Sequence, residues 1–315
     1  FLNRQTLRMT RKTQTGTRWW WEEQPVPSWK EDACWQKDGW TDIKRWQEYV
    51  FDHDGIKLKN LVRWPKRAAD EGELFPVLLF LHSASFEPLT DLFPDGDAWL
   101  DKSPGESLFI VCPRCPDDFY WLLRGNSWNE QGGVWKEDKR GFCYWSAPLA
   151  DEMADALTGL LGQLSRDFPI DTGRVYISGC SMGGHACLDL AARHPDLFSA
   201  VVPVAAHLEA ERLRWAAKSL RGVPMWAFHA VDDQCCPFDD MQSLVRWAGP
   251  AAELTIYNKR HKGQSIHNSA AHVAYSDHGR AIVSWLLRQP CKVSPVFGAR
   301  TSSPEERLGA SDAVE

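Results

Sequence analysis

The chain has no apolar run long enough to cross a membrane. A spanning helix needs roughly 20 apolar residues, and Val77-Leu78-Leu79-Phe80-Leu81 is only strand-sized. Nor is there an excess of positive charge. Lys and Arg number 36 against 42 Asp and Glu, a net charge of -6. That balance offers no basic footprint, so nucleic acid is not an expected partner. No internal repeat is visible, which leaves out solenoids and propellers. The nine cysteines (34, 112, 115, 143, 180, 187, 235, 236 and 291) are odd in number and cannot all pair. Cys112-Pro-Arg-Cys115 is a lone C-x-x-C without a second pair at zinc spacing, so no metal is expected there. Cys180, Cys187 and Cys235 fall in core-like or turn-like segments, which suits reduced thiols. The compartment stays open, with a lean towards cytoplasmic.

What the chain does have is length, tryptophan and alternating elements. At 315 residues it can bury a sizeable core as one α/β domain with extensions. Residue 1 is Phe rather than an initiator, so a fragment or processed form is expected. Residues 1 to 21 carry Arg4, Arg8, Arg11, Lys12 and Arg18 without an acid, and a disordered leader is expected in preference to a transit peptide. Of 17 Trp, seven precede residue 47: Trp19, Trp20, Trp21, Trp29, Trp35, Trp40 and Trp46. Residues 1 to 40 are therefore read as an arm packing its rings on the domain. The domain itself is placed at 41 to 289, and residues 290 to 315, rich in Pro, Ser, Gly and charge, as a disordered tail.

From Tyr49 the pattern becomes regular. Tyr49 to Phe51, the turn Asp52-His-Asp-Gly55, and Ile56 to Trp64 predict a hairpin. Phe75 to Leu81 and Ser107 to Cys112 are continuous apolar runs, as expected of strands buried on both faces. Residues 113 to 147 look loop-like. Leu149 to Phe168 shows helical spacing at Met153, Leu157, Leu160, Leu161 and Leu164. Strands are expected at 200–205, 223–229 and 253–257, and helices at 241–248 and 277–288. Alternation of this kind predicts a mostly parallel sheet with an antiparallel hairpin at its start.

The most informative stretch runs from Arg174 to Pro195. Val175-Tyr176-Ile177 predicts a strand. Gly179-Cys180-Ser181-Met182-Gly183 fits G-x-S-x-G, and a small-residue helix follows. Strand, sharp turn and helix with Ser at the tip make the nucleophile elbow of α/β-hydrolases. Side chains at Gly179 and Gly183 would collide with their neighbours. The helix from Met182 points its N-terminal dipole at the site. Ser181, not the adjacent Cys180, occupies the tip.

A serine nucleophile needs a base, and the base needs an acid. In α/β-hydrolases the chain order is Ser, acid, His. The loop Ala230-Val-Asp232-Asp233-Gln-Cys-Cys-Pro237 supplies the acid, Asp233 or Asp232. Four histidines follow: His261, His267, His272 and His278. The chain resembles the carboxylesterase-like α/β-hydrolases that include polyhydroxybutyrate depolymerase-like, feruloyl esterase-like and phospholipase-carboxylesterase members, over roughly residues 45 to 289. Their H-G-x-x-D-x-x-V-P loop implies Asp233 as the acid. Their H-[DN]-x-W, followed by A-Y-x-[DN] and W-L-L, aligns with His267-Asn268-Ser269, Ala274-Tyr275-Ser276-Asp277 and Trp285-Leu286-Leu287. That implies His267 as the base, with one residue inserted and the usual Trp missing; His261 and His272 stay open. His278 is expected to be an exposed first-turn residue near an N-cap at Ser276 or Asp277.

The family's L-H-G-A-G reads Leu81-His82-Ser83-Ala84-Ser85 here, with Ser at both Gly positions. Ala84 and Met182 are thus the implied oxyanion donors. His82 and His207 are expected to make local hydrogen bonds only.

The sequence therefore predicts an α/β-hydrolase fold, a mostly parallel sheet with helices on both faces. Its expected activity is cleavage of a carboxylic ester through an acyl-Ser181 intermediate, without cofactor or metal, on a small-molecule ester. The oligomeric state is open. The alternatives are a serine peptidase or thioesterase on the same fold, or a non-catalytic binding protein on that scaffold.

Overall fold

The computed structural model describes residues 46–65, 73–84, 100, 105–125, 131–261 and 263–292. It also describes the backbone of two short paired strands, Thr10–Thr13 and Gly16–Trp19. Most of the expected Trp-rich arm, and the tail beyond residue 292, lie outside the described residues.

An eight-stranded sheet forms the centre. Its strands are β1 (Trp46–His53), β2 (Ile56–Arg63), β3 (Phe75–Leu81) and β4 (Phe109–Pro113). Then come β5 (Ile170–Cys180), β6 (Ala200–Val204), β7 (Met225–Ala230) and β8 (Ala252–Tyr257). Their order across the sheet is β8-β7-β6-β5-β3-β4-β2-β1. From β8 to β4 every neighbour is parallel, and β2 and β1 close that edge antiparallel.

The β1–β2 hairpin turns at Asp54 (φ 50°) and Gly55 (φ 89°). Both central residues are left-handed, as the two-residue turn that matches strand twist requires. The Gly55 amide also donates to Asp52 Oδ1 at 3.1 Å. All seven residues of β3 are buried. Val77, Leu79 and Leu81 point into one core and Leu78 and Phe80 into the other. That two-sided burial is why β3 reads as an unbroken apolar run rather than an alternating one.

Helices cover both faces. One face carries α1 (Asp151–Asp167), α2 (Met182–Arg193), α3 (Ala210–Ser219) and α4 (Phe238–Ala248). They anchor through residues such as Met153, Leu190, Leu213 and Leu244. The other face carries α5 (Gly279–Leu286), through Ile282, Val283 and Leu286. In α1 the five apolar positions at helical spacing are all buried, and Asp151 and Glu152 in the first turn complement the helix dipole.

Several features differ from expectation, among them α3, which falls where no element was expected. Residues 113 to 147 are not simply loop. Phe119–Tyr120 pairs with Leu123–Arg124, and Val134–Glu137 with Cys143–Ser146. Strands of two to four residues are too short for periodicity to reveal. The C-terminal helix is split: a π-helical turn over His272–Asp277 precedes α5. His278 is therefore the cap residue itself, half-buried rather than exposed. Its ring packs edge-on against Phe228, and Nδ1–H donates to the Val273 carbonyl at 2.7 Å. Finally, Lys292 N–H donates to the Gly173 carbonyl at 2.8 Å, so the chain is still docked on β5 past residue 290.

Candidate active site

Ser181 sits between the end of β5 and the start of α2 with φ 52° and ψ -117°. A non-glycine residue there is strained and persists only where its surroundings over-determine it. Here they do. The Ser181 amide donates to the Val204 carbonyl on β6, and its carbonyl accepts from His185 N–H, both at 2.9 Å. The flanking glycines are required by close approach. A Cβ on Gly179 would strike the Gly183 backbone, and one on Gly183 would strike the Leu81 carbonyl. Gly184 also has no room for a side chain: its Cβ would lie 2.7 Å from the Val204 carbonyl oxygen. The three glycines let β3, β5, β6 and α2 close on one point.

His267 enters from the turn after β8. Its Nε2 lies 2.9 Å from Ser181 Oγ. Its Nδ1 lies 2.8 Å from Asp233 Oδ2 and 3.0 Å from Oδ1. A carboxylate at Nδ1 fixes the proton on that nitrogen and leaves Nε2 to accept from the serine hydroxyl. Burial pushes the His267 pKa down, but the charge of Asp233 and its hydrogen bond outweigh it, so the pKa lies above the ordinary histidine value. Asp233 is buried in the loop after β7. Its Oδ1 accepts the Cys235 and Cys236 amides at 2.8 and 2.9 Å. Burial alone would raise its pKa; His267, His229 and the Cys236 amide bring it below the usual carboxylate value.

The other candidates lie elsewhere. Asp232 is exposed in the turn. His261 and His272 stack on each other, rings 3.7 Å apart. Cys180 is buried at the end of β5. His229, which falls on the His of the resembling family's H-G-x-x-D-x-x-V-P loop, is fully buried behind the acid. Its Nε2 lies 3.0 Å from the Cys236 carbonyl and 3.9 Å from Asp233 Oδ2.

Ala84 lies just past β3, whose last residue Leu81 pairs with Gly179. The loop is clamped at His82, which is wholly buried. His82 Nε2 accepts the Cys115 amide at 3.0 Å, so Nδ1–H donates to the Ser83 carbonyl at 2.6 Å. The Trp121 indole N–H donates to the His82 carbonyl at 2.9 Å. Burial holds the His82 pKa down to about 4. Ser83 does not adopt positive φ, so serine meets no backbone strain where the resembling family has glycine. Met182, the first residue of α2, is buried beside the serine.

All cysteines among the described residues are free thiols. Cys115 Sγ is engaged locally, donating to the Phe119 carbonyl at 3.3 Å and accepting the Trp121 amide at 3.2 Å. No helix among the described residues is long and apolar enough to cross a membrane.

A mostly parallel sheet flanked by helices, with serine on a strained strand-to-helix turn, defines a carboxylesterase-like α/β-hydrolase. Residues 57–257 match the family model Esterase, described as "Putative esterase", and the chain belongs to that family of serine ester hydrolases. The matched segment includes Ser181 and Asp233 and ends before His267. An S-formylglutathione hydrolase from Bos taurus is 25% identical over 225 residues, 66% of this chain and 72% of that protein. The crystal structure of a thermostable esterase superposes with a TM-score of 0.60 at 22% identity, covering 78% of this chain and 64% of that one. The chain thus spans under two thirds of that esterase. A ferulic acid esterase superposes with a TM-score of 0.53 at 17% identity, covering 76% and 98%.

Proposed function

We propose that this protein cleaves a small-molecule carboxylic ester through an acyl-Ser181 intermediate. His267 Nε2 takes the Ser181 proton as Oγ attacks the ester carbonyl, then returns it to the leaving alcohol. Asp233 keeps the imidazole in the required tautomer and balances the charge it gains. The Met182 and Ala84 amides hold the tetrahedral oxygen, where the dipole of α2 also bears. Water, activated by the same imidazole, then releases the acid.

The observation that carries this reading is the pair of contacts made by His267, 2.9 Å to Ser181 Oγ and 2.8 Å to Asp233 Oδ2. Family membership supports ester bonds as the target. Labelling with a fluorophosphonate, followed by peptide mapping, tests it. The expected adduct is on Ser181, and ester turnover should disappear in step with labelling. A protein that neither labels nor turns over a panel of p-nitrophenyl esters and S-formylglutathione is a binding protein on a hydrolase scaffold.

A further inference from the structure

Three side chains outside the Ser181–His267–Asp233 group converge on a point of their own. His185 lies one helical turn past Ser181 on α2. His207 follows β6. Cys236 lies in the loop after β7. One ligand atom from each, an imidazole nitrogen or the thiol sulfur, lies within 4.8 Å of the other two. Cys236 Sγ and His185 Nε2 are 3.5 Å apart, and the His185 and His207 rings meet edge-on at 4.7 Å. Cys236 and His207 are 2% and 8% exposed.

We propose that His185, His207 and Cys236 form a binding site for a borderline-soft divalent cation, with Zn²⁺ the best fit. Two imidazoles and a thiolate are the donors this class prefers. The spacing also fits. With Zn–S near 2.3 Å and Zn–N near 2.0–2.1 Å at a tetrahedral angle, sulfur and nitrogen ligands stand about 3.5 Å apart. Cys236 and His185 already have that separation, and His207 closes the triangle with a small ring movement. The cationic side chain of Arg140 does not compete: it is clamped on Asp240 at 2.7 and 3.0 Å and on Asp138 at 2.7 Å. That clamp also occupies Asp240, so the fourth position falls to water. When the Zn–S bond forms, the Cys236 thiol releases its proton to solvent, and no electrons are transferred. The three ligands come from the carboxyl ends of β5, β6 and β7, so the ion would tie the nucleophile helix to the loop that presents Asp233. The proposal does not depend on ester hydrolysis.

Titration of the full chain with Co²⁺, followed by Zn²⁺ displacement, tests it. One Co²⁺ should bind per chain and give a thiolate-to-cobalt charge-transfer band. Cys236→Ser should lose the band. His207→Gln should weaken binding by roughly tenfold or more. Cys235→Ser and Ser181→Ala should bind as the wild type does. No band in the wild type, or a band that survives Cys236→Ser, overturns the site. So does a band lost in Cys235→Ser and kept in Cys236→Ser, which would move the ion to Asp233, Cys235 and His267, the other group of metal-competent side chains. Circular dichroism checks that Cys236→Ser is folded. If it is not, unchanged affinity in His207→Gln is the overturning result.

Discussion

The hydroxyls of Ser178 and Tyr275 lie 2.8 Å apart. Their contact joins β5, which presents Ser181, to the segment just after His267. Ser178 gives its one proton to the Val202 carbonyl at 2.8 Å, so Tyr275 is the donor. The Tyr275 ring is also fixed, edge-on to Phe80 at 5.3 Å. Tyr275→Phe should cost about 1 kcal/mol of stability. If the tie also sets the distance from His267 to Ser181, kcat falls while KM holds. Thermal melts and steady-state kinetics on one ester separate the two effects. A lower melting temperature with unchanged kcat would make the contact purely structural.

Ser181→Ala should lower ester turnover by a factor on the order of 10⁶ and leave the fold intact. Cys180→Ala, its neighbour at the buried end of β5, should keep both turnover and fluorophosphonate labelling. The reverse pattern would assign the chemistry to the thiol.

Turnover should depend on His267 being unprotonated. Its pKa is raised above 6.5, so kcat/KM should rise with pH and level off only beyond an inflection above that value. The stability linkage has the opposite direction. A raised histidine pKa adds stability below the unfolded-state pKa, and that increment is lost as pH rises through the folded one. Asp233→Asn removes the cause. Burial then acts alone, the inflection should move to lower pH, and kcat should drop by about 10⁴-fold. A pH–rate profile of both proteins checks the sign.

Arg193, 7% exposed, is held by Asp189 at 3.4 Å, and by Asp151, which is itself well exposed, at 2.5 Å. Arg212 also meets Asp189. Asp189→Ala leaves the buried guanidinium without its buried partner and should cost about 3–5 kcal/mol. Urea unfolding should show the midpoint fall by the equivalent amount. A shift no larger than that of a surface substitution would mean that Asp151 alone balances Arg193.

The parts of this protein legible in its sequence are those encoded by contiguous residues. The hairpin shows itself through Asp54-Gly55 between two alternating runs. β3 shows itself through seven apolar residues in a row. The elbow is legible because G-x-S-x-G, the strand before it and the small-residue helix after it lie within about one element length of each other.

His261, His267 and His272 are not told apart by any local composition. The three are within a dozen positions of one another, and 86 residues separate His267 from Ser181. The fold separates them in space: His261 and His272 stack together, and His267 Nε2 lies 2.9 Å from Ser181 Oγ. The grouping of His185, His207 and Cys236 was less legible still, with 51 residues between its ends. No local pattern marks it, because it exists only where the parallel register of β5, β6 and β7 lines up their carboxyl ends. Local sequence determined where the chain would turn, extend and coil. Which distant side chains share a site was decided by the sheet order, since strand neighbours are set by burial on two faces and not by adjacency along the chain.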